Sequence, residues 1–290
     1  MRNLRRVMAG LLAVTLLTAC SSNGGTASNN GTSSGATQNT EAASGGVLRV
    51  GMECDYAPFN WTTTQEGENT VKISSVDYAD GFDVVVAVRL AEELGMELEV
   101  VKLDWDSLIP ALQHDQIDAV IAGMTDTPER RENVDFTTPY YISEEVVLVR
   151  ADSDVANITS ISELSGKKVI GQMNTLYDDI IDQIEGVNHM PAAESFPAAI
   201  QALQGGAVDA VTSELPVAVG VVSANPDLAY VQFAEGKGFS GSETDASVSI
   251  AVNKGNTELL NALQAALDKI SEDDRQQMML DATSRQPAGE

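Results

Sequence analysis

The chain has 290 residues, of which 17 are basic and 43 acidic, for a formal net charge of -26. An excess of that size repels phosphate backbones and excludes nucleic acid as a partner. It favours solubility and says little about a small ligand, which meets only a few buried groups.

The opening residues carry Arg2, Arg5 and Arg6, then an apolar run over 7–17 that is too short to span a bilayer. This reads as an export signal over 1–19. It ends in Leu17-Thr18-Ala19-Cys20, which resembles the lipobox of bacterial lipoproteins; on that resemblance Cys20 is diacylated and becomes the lipid-bearing N-terminus. A plain signal with an incidental cysteine is the other reading, disfavoured because Cys20 stands between the apolar run and a polar tract. Residues 21–46 are Ser, Asn, Gly, Thr, Ala and Gln with one charge, Glu41, and lack the apolar residues that offset ordering entropy. Residues 20–46 therefore read as a lipid-anchored flexible linker with a reach of roughly 25 to 30 Å. With Cys20 lipidated, Cys54 has no disulfide partner, and the fold must be held by its core. About 240 residues follow, enough for two ordinary domains, and none of their apolar runs is long enough to cross a bilayer.

Residues 47–52 form a short apolar strand, and 82–94 place Phe82, Val86, Leu90 and Leu94 at helical spacing before Gly95. A second strand follows over 97–103, a helix over 107–113 with Pro110 in its first turn, and a third strand over 118–123. Residues 61–80 make a long connector, expected to form a hairpin near the mouth. Beyond it come a strand over 167–172, helices over 175–184 and 214–223, a strand over 247–252 and an amphipathic helix over 258–270. Strands alternating with helices imply α/β architecture with parallel sheets.

Residues 109–120 align without gaps with 200–211: Ala111-Leu112-Gln113 matches Ala202-Leu203-Gln204, and Asp118-Ala119-Val120 matches Asp209-Ala210-Val211. Each copy is a helix, a tight turn and a strand opening with Asp, so one unit occurs twice and two similar lobes follow. The expected division is 47–144 with 246–290 for lobe 1 and 145–245 for lobe 2. The chain then crosses between lobes near 143–147 and near 241–247, an arrangement suited to a hinge.

In open α/β sheets ligands sit beyond the carboxyl ends of the strands. The stretches there are 53–59 (Glu53-Cys54-Asp55-Tyr56-Ala57-Pro58-Phe59), 123–131, Asn174-Thr175-Leu176 and Glu214. The phrases 51–59, Gly81-Phe82-Asp83-Val84, 108–112, 118–123 and 127–136 resemble the extracellular solute-binding proteins, family 3, of polar amino acid importers, and the likeness runs from 47 to about 282. It implies a two-lobed periplasmic-binding-protein-like (type II) fold, each lobe a doubly wound, mostly parallel sheet. It also implies capture of a polar or cationic L-amino acid by hinge closure and its delivery to an ABC permease and ATPase complex, without cofactor or metal. The protein is expected to be a monomer on the outer face of the cytoplasmic membrane, or its periplasmic side in a Gram-negative cell.

Thr127 and Pro128 read as N-cap and first position of a short helix that fixes Arg130. A guanidinium matches a carboxylate bidentately, and the resemblance assigns Arg130 to the ligand α-carboxylate with the Thr125 hydroxyl beside it. Arg131 reads as a solvated or structural arginine. For the α-ammonium the resemblance supplies the Gly123 carbonyl and Glu214, which stands where the family usually has aspartate; the other role open to Glu214 is a helix-start acid facing the dipole. Thr175 and the Leu176 amide match a helix N-terminus offered to the carboxylate, although Asn174 and Leu176 depart from the family's Gly-Thr-Thr. Tyr56 and Trp105 match the positions that sandwich the ligand side chain, with core packing as the alternative. Glu53 matches the far end of the ligand, where a carboxylate favours cationic or strongly polar groups; capping a strand end is its other role. A further departure is Val85, which stands where the family often has Asp.

The same fold hosts enzymes, so a cyclohexadienyl or arogenate dehydratase-like activity is the alternative. Against it, His114 and His189 fall in polar turns, and no catalytic triad, metal-ligand spacing or phosphate loop is present. Cys54 has no histidine close in sequence to activate it.

Overall fold

The computed structural model describes residues 45–240 and 247–287. The signal, Cys20 and nearly all of the linker expected from the sequence lie outside these. Lobe 1 begins with strand β1 (Val47–Met52), followed by β2 (Glu97–Lys102), β3 (Ala119–Val120) and β4 (Val134–Phe136). Lobe 2 holds β5 (Glu145–Arg150), β6 (Lys168–Ile170), β7 (Asn188–His189), β8 (Ala210–Glu214) and β9 (Leu228–Val231), after which β10 (Ala251–Asn253) returns to lobe 1. The two sheets have the orders β2-β1-β3-β10-β4 and β7-β6-β8-β5-β9. In each, the next-to-last strand runs against the other four. That odd strand, β5 or β10, is in both lobes the one that follows a crossing, so a single connectivity is used twice. The mostly parallel, two-lobed architecture expected from the sequence is present.

The crossing itself is a short antiparallel pair, Tyr141–Ile142 against Ser247–Val248. The first crossing therefore lies slightly before the expected 143–147, because Val146 and Val147 already belong to β5. The connector over 61–80 folds as strands Asn60–Thr63, Val71–Lys72 and Tyr78–Asp80 in an antiparallel sheet with Asp55–Tyr56. Val71–Lys72 and Tyr78–Asp80 pair as a hairpin within it.

Helix α1 (Phe82–Leu94) buries Phe82, Val86 and Leu90 and ends where Gly95 turns left-handed, its N–H donating to the Ala91 and Glu92 carbonyls. The remaining helices are α2 (Leu108–Gln113), α3 (Leu176–Asp179), α4 (Phe196–Gln204), α5 (Leu215–Ala224), α6 (Thr257–Leu267) and α7 (Glu272–Arg285). The helix expected over 175–184 is α3 followed by a 3-10 turn, Ile180–Gln183. Strand β5 shows why apolar runs need no alternation in a covered sheet. Val146 and Leu148 join the core shared with lobe 1, while Val147 and Val149 join a second core under the opposite face.

The repeated unit forms α2-turn-β3 in lobe 1 and α4-turn-β8 in lobe 2, each strand pairing in parallel with the lobe's first parallel strand. Its aspartates cap that strand: Asp118 accepts the Arg49 amide at 2.8 Å, and Asp209 accepts the Lys168 amide at 2.9 Å. An arginine clamps each turn. Arg49 donates to the Asp115 and Gln116 carbonyls and pairs with Asp118 at 2.7 Å. Arg150 donates to the Leu203 and Val208 carbonyls and lies 3.7 Å from Asp209. The turn needs a left-handed residue, Asp115 at φ 54 in one copy and Gly206 at φ 71 in the other, and Asp enters that region more readily than most residues.

Removing either aspartate strands a strand amide and an arginine. Asp118→Ala and Asp209→Ala are each expected to lower the unfolding free energy by about 1 to 3 kcal/mol. Urea titration reads the loss, and ligand affinity, decided elsewhere, should remain as in wild type.

Candidate functional site

The carboxyl ends of β1 and β3 face those of β6 and β8 across a cleft. It is lined by Glu53, Tyr56, Trp105, Ala122, Gly123, Thr125 and Arg130 from lobe 1 and by Gln172, Thr175, Leu176 and Tyr177 from lobe 2. The cavity they leave measures about 20 Å³, room for a single water. Any larger guest requires the lobes or these side chains to move apart.

Arg130 begins a 3-10 turn, Arg130–Glu132, and its amide donates to the Thr127 hydroxyl at 3.2 Å. The expected short helix is thus present in tighter form. Nη1 of Arg130 donates to the Thr125 carbonyl at 2.7 Å and Nη2 to the Asn174 carbonyl of the facing lobe at 2.9 Å. Its guanidinium carbon lies 5.2 Å from the Trp105 ring centre. Desolvation pulls the Arg130 pKa down to about 10, with Asp179 and Glu129 opposing, so the group stays cationic at neutral pH. Arg131 instead pairs with Asp126 near the surface, as a structural arginine would. The Thr125 group that holds Arg130 is the carbonyl.

Asn174 is the centre of the cross-cleft contacts. Its carbonyl also accepts the Trp105 indole N–H at 3.1 Å, and its side chain donates to Asp106 at 2.7 Å. Its φ of 58 is left-handed, a region that asparagine tolerates better than most residues. The Thr175 hydroxyl donates to the Gln172 carbonyl at 2.7 Å, which leaves it acceptor capacity only. Leu176 opens α3 beside it.

Glu214 ends β8 and stands at the N-cap position of α5 without making a capping hydrogen bond. The helix-start role is therefore not realised through a side-chain bond. It is fully buried and takes the Tyr56 hydroxyl on Oε1 at 2.7 Å, across the two lobes. Oε2 has no partner in hydrogen-bond geometry, although Ser143 and Tyr177 lie close enough to favour the ionised form. Burial outweighs them and pushes the carboxyl up to about 7. Glu214 is the one expected site residue that does not line the cavity, because the Tyr56 hydroxyl stands in front of Oε1. Tyr56 stacks on Phe59 at 5.7 Å and meets the edge of Phe196 from lobe 2 at 5.3 Å.

Glu53 accepts the Gln172 amide at 3.1 Å. Burial raises its carboxyl to about 8, with Asp55 and then Asp104 and Asp106 adding to the rise while Gln172 opposes it. Gly123, at φ 61, lies where an added methyl would come within 3.3 Å of the Tyr56 ring. Gln172, Tyr177 and Ala122 were not expected. Gln172 and Tyr177 could have been found by ending the sixth strand at Ile170, which makes Gln172 a strand-end residue and Tyr177 part of the loop beyond. His114 binds the Pro110 carbonyl, and His189 sits between Asp178 and Asp182 on the surface. Cys54 is buried, which raises its thiol to about 12 and leaves it inert.

The sequence from 48 to 282 matches the model of the bacterial extracellular solute-binding proteins, family 3. The arginine-binding extracellular protein ArtP of Bacillus subtilis is 31% identical over 258 residues, 88% of each chain. The probable histidine-binding protein of Campylobacter jejuni is 32% identical over 196 residues, 67% of this chain and 71% of that protein. Among solved structures, the amino acid ABC transporter substrate-binding protein AbpA of Streptococcus pneumoniae bound to L-arginine superposes with a TM-score of 0.71 at 30% identity, covering 82% of this chain and 95% of that one. With more than half its length matched and its fold shared, this chain belongs to the bacterial extracellular solute-binding proteins, family 3.

Proposed function

We propose that this protein captures a free L-amino acid with a polar or cationic side chain between its lobes and presents it to an ABC permease. The family and its relatives, which include arginine-, histidine-, cystine- and glutamine-binding proteins, are substrate-binding components and not enzymes. The observation that carries the reading is an opposed pair. A desolvated guanidinium in one lobe gives one of its donors to a main-chain carbonyl of the facing lobe, and a buried carboxylate in the other lobe keeps an oxygen that Ser143 and Tyr177 approach without reaching hydrogen-bond geometry.

On this reading the ligand α-carboxylate takes over the Arg130 donor now held by Asn174, while Nη1 stays anchored on Thr125. The α-ammonium takes the Gly123 carbonyl and Glu214, displacing the Tyr56 hydroxyl; Thr175 and Leu176 complete the lobe 2 side. Trp105 and Tyr56 flank the side chain, and Glu53 with Gln172 meets its far end. Asp55, Asp104 and Asp106 make that end favourable for positive charge. We also propose that the chain is exported, anchored through Cys20 on the outer face of the cytoplasmic membrane, and monomeric. No helix among the described residues is long and apolar enough to cross a membrane.

A thermal-shift panel of the common amino acids, on protein refolded from denaturant to strip ligand, tests the reading, since binding only the folded state raises the midpoint. Arginine, lysine, histidine or glutamine should give the largest shift, and a panel with no shift refutes the proposal. Arg130→Ala should then weaken the best ligand by about two orders of magnitude in calorimetry, with Arg130→Lys recovering part of the loss.

The Glu214 carboxyl gives a pH dependence of definite sign. Ammonium binding favours the ionised form, so the ligand-bound pKa lies below about 7, the value without it. The Glu214 contribution to affinity is full above that value and falls as pH drops through it, by up to about tenfold per unit; Glu53, raised to about 8, adds its own fall only for a ligand with a cationic side chain. Dissociation constants between pH 8 and 5.5 for a ligand with an uncharged side chain, such as glutamine, measure the slope, and Glu214→Gln should flatten it. A wild-type affinity independent of pH over that range would remove Glu214 from the ammonium site.

A further inference from the structure

Asp83 is fully buried at the start of α1, where it makes two side-chain hydrogen bonds that lead toward the cleft, and the Gly123 amide at the cleft edge lies near enough to favour its charge. Its Oδ1 accepts the Tyr140 hydroxyl at 2.6 Å and its Oδ2 the Asn60 side-chain amide at 2.7 Å. Tyr140 is left with only its oxygen to offer, and that oxygen accepts the Gly123 amide at 3.0 Å. Asn60, with its amide turned to Asp83, presents its carbonyl oxygen to the Cys54 amide at 2.7 Å. Both receiving residues lie in left-handed backbone, Gly123 at φ 61 and Cys54 at φ 57. They form the turns that end β3 and β1 and carry the Gly123 carbonyl and the Glu53 side chain.

We propose that Asp83 is a positioning residue of the binding site, fixing the Gly123 turn through Tyr140 and the Glu53-Cys54 turn through Asn60. The chemistry explains why an acid stands there. A carboxylate only accepts, so each of its oxygens turns a neighbour that could point either way into one that donates to Asp83 and accepts from a cleft amide. An asparagine at 83 offers one acceptor and one donor, which reverses one relay. Burying a carboxylate is costly, and burial raises this one to about 7 although Tyr140, Asn60 and Gly123 all favour its charge. Tyr140 also carries the effect to the hinge, because its amide donates to the Val248 carbonyl at 2.9 Å beside the crossing pair.

The proposal rests on the reading that Gly123 and Glu53 face the ligand, and its test separates the two. Wild type is first titrated with the common L-amino acids and L-cystine, and the tightest is kept as probe. In nitrogen-15-labelled protein, well below the unfolding midpoints, Asp83→Asn should move the amide resonances of both Gly123 and Cys54, whereas the milder Tyr140→Phe should move Gly123 alone. Both variants should weaken the probe by about tenfold, the loss expected for one charge-assisted or relayed hydrogen bond. Unmoved amides in Asp83→Asn, or affinities within twofold of wild type in both variants, would overturn the assignment. If wild type binds none of them, the functional reading fails before any variant is made, and the two amide shifts still decide the role of Asp83.

Discussion

The hydrogen bond from the Tyr56 hydroxyl to Glu214 is the contact on which the cleft turns. A carboxylate with no exposed surface is stable only if something replaces the water it has lost. Glu214 receives one full hydrogen bond for its two oxygens, and that bond comes from the other lobe. Bringing the lobes together therefore does two opposing things: it desolvates an acid and supplies a partial remedy. A carboxyl raised to about 7 is the balance between them. The group is poised to accept something better than a phenol, and a positive charge with several donors is such a thing.

The scaffold makes that balance adjustable because each lobe is internally complete. Each sheet has the same strand order, and each repeated turn is closed by its own aspartate and arginine. The crossing is only the pair Tyr141–Ile142 and Ser247–Val248, so lobe motion need not break either sheet. What resists opening is the set of cross-cleft bonds, Tyr56 to Glu214, Gln172 to Glu53, and Arg130, Trp105 and Asp106 to Asn174. These are the bonds a ligand would replace, so the energetics of closure and of binding are written in the same few atoms.

Most of this arrangement is legible in the sequence where local rules and tertiary context agree. The internal repeat announced twin lobes because its Asp-Ala-Val strands occupy equivalent places beside the lobes' first parallel strands. Strand ends pointed to seven of the residues that line the cavity and to Glu214 behind it, and the family resemblance added Trp105. The misses have physical causes. The third strand was expected over 118–123, but only Ala119–Val120 lies in the ladder, since Ile121 to Gly123 already turn toward the cleft. Helix α7 was not foreseen, because it buries only Met279 and Ala282 and so lacks an apolar stripe; its signal lies in the Ser271 cap and three following acids. Gln172 and the relays of Asp83 were hidden for a different reason. Their partners lie 119 and 57 residues away, and nothing in local spacing reports that a side chain will be turned by one neighbour to face another.

On the proposed reading, selectivity for a zwitterion follows from the way the cleft satisfies itself. Arg130 spends a donor on a neutral carbonyl and Glu214 an oxygen on a neutral hydroxyl, so each charge is hydrogen-bonded but not neutralised. A guest carrying only a carboxylate improves the Arg130 side and leaves Glu214 with no more than it had. One carrying only an ammonium does the converse, and in either case the guest must still break cross-lobe bonds to enter the cavity. On the proposed reading, a molecule bearing both charges at the spacing of one tetrahedral carbon exchanges two charge-neutral bonds for two charge-to-charge ones once the lobes have parted to admit it and closed again. The far end is then judged by different physics. The Glu53 carboxyl, raised to about 8 by burial and by neighbouring acids, is held mostly neutral at pH 7 and regains its charge when a cation arrives. On the proposed reading a polar side chain finds a hydrogen-bonding acid there, a basic one finds a carboxylate, and an acidic one finds Asp55, Asp104 and Asp106 with too little positive charge to offset them.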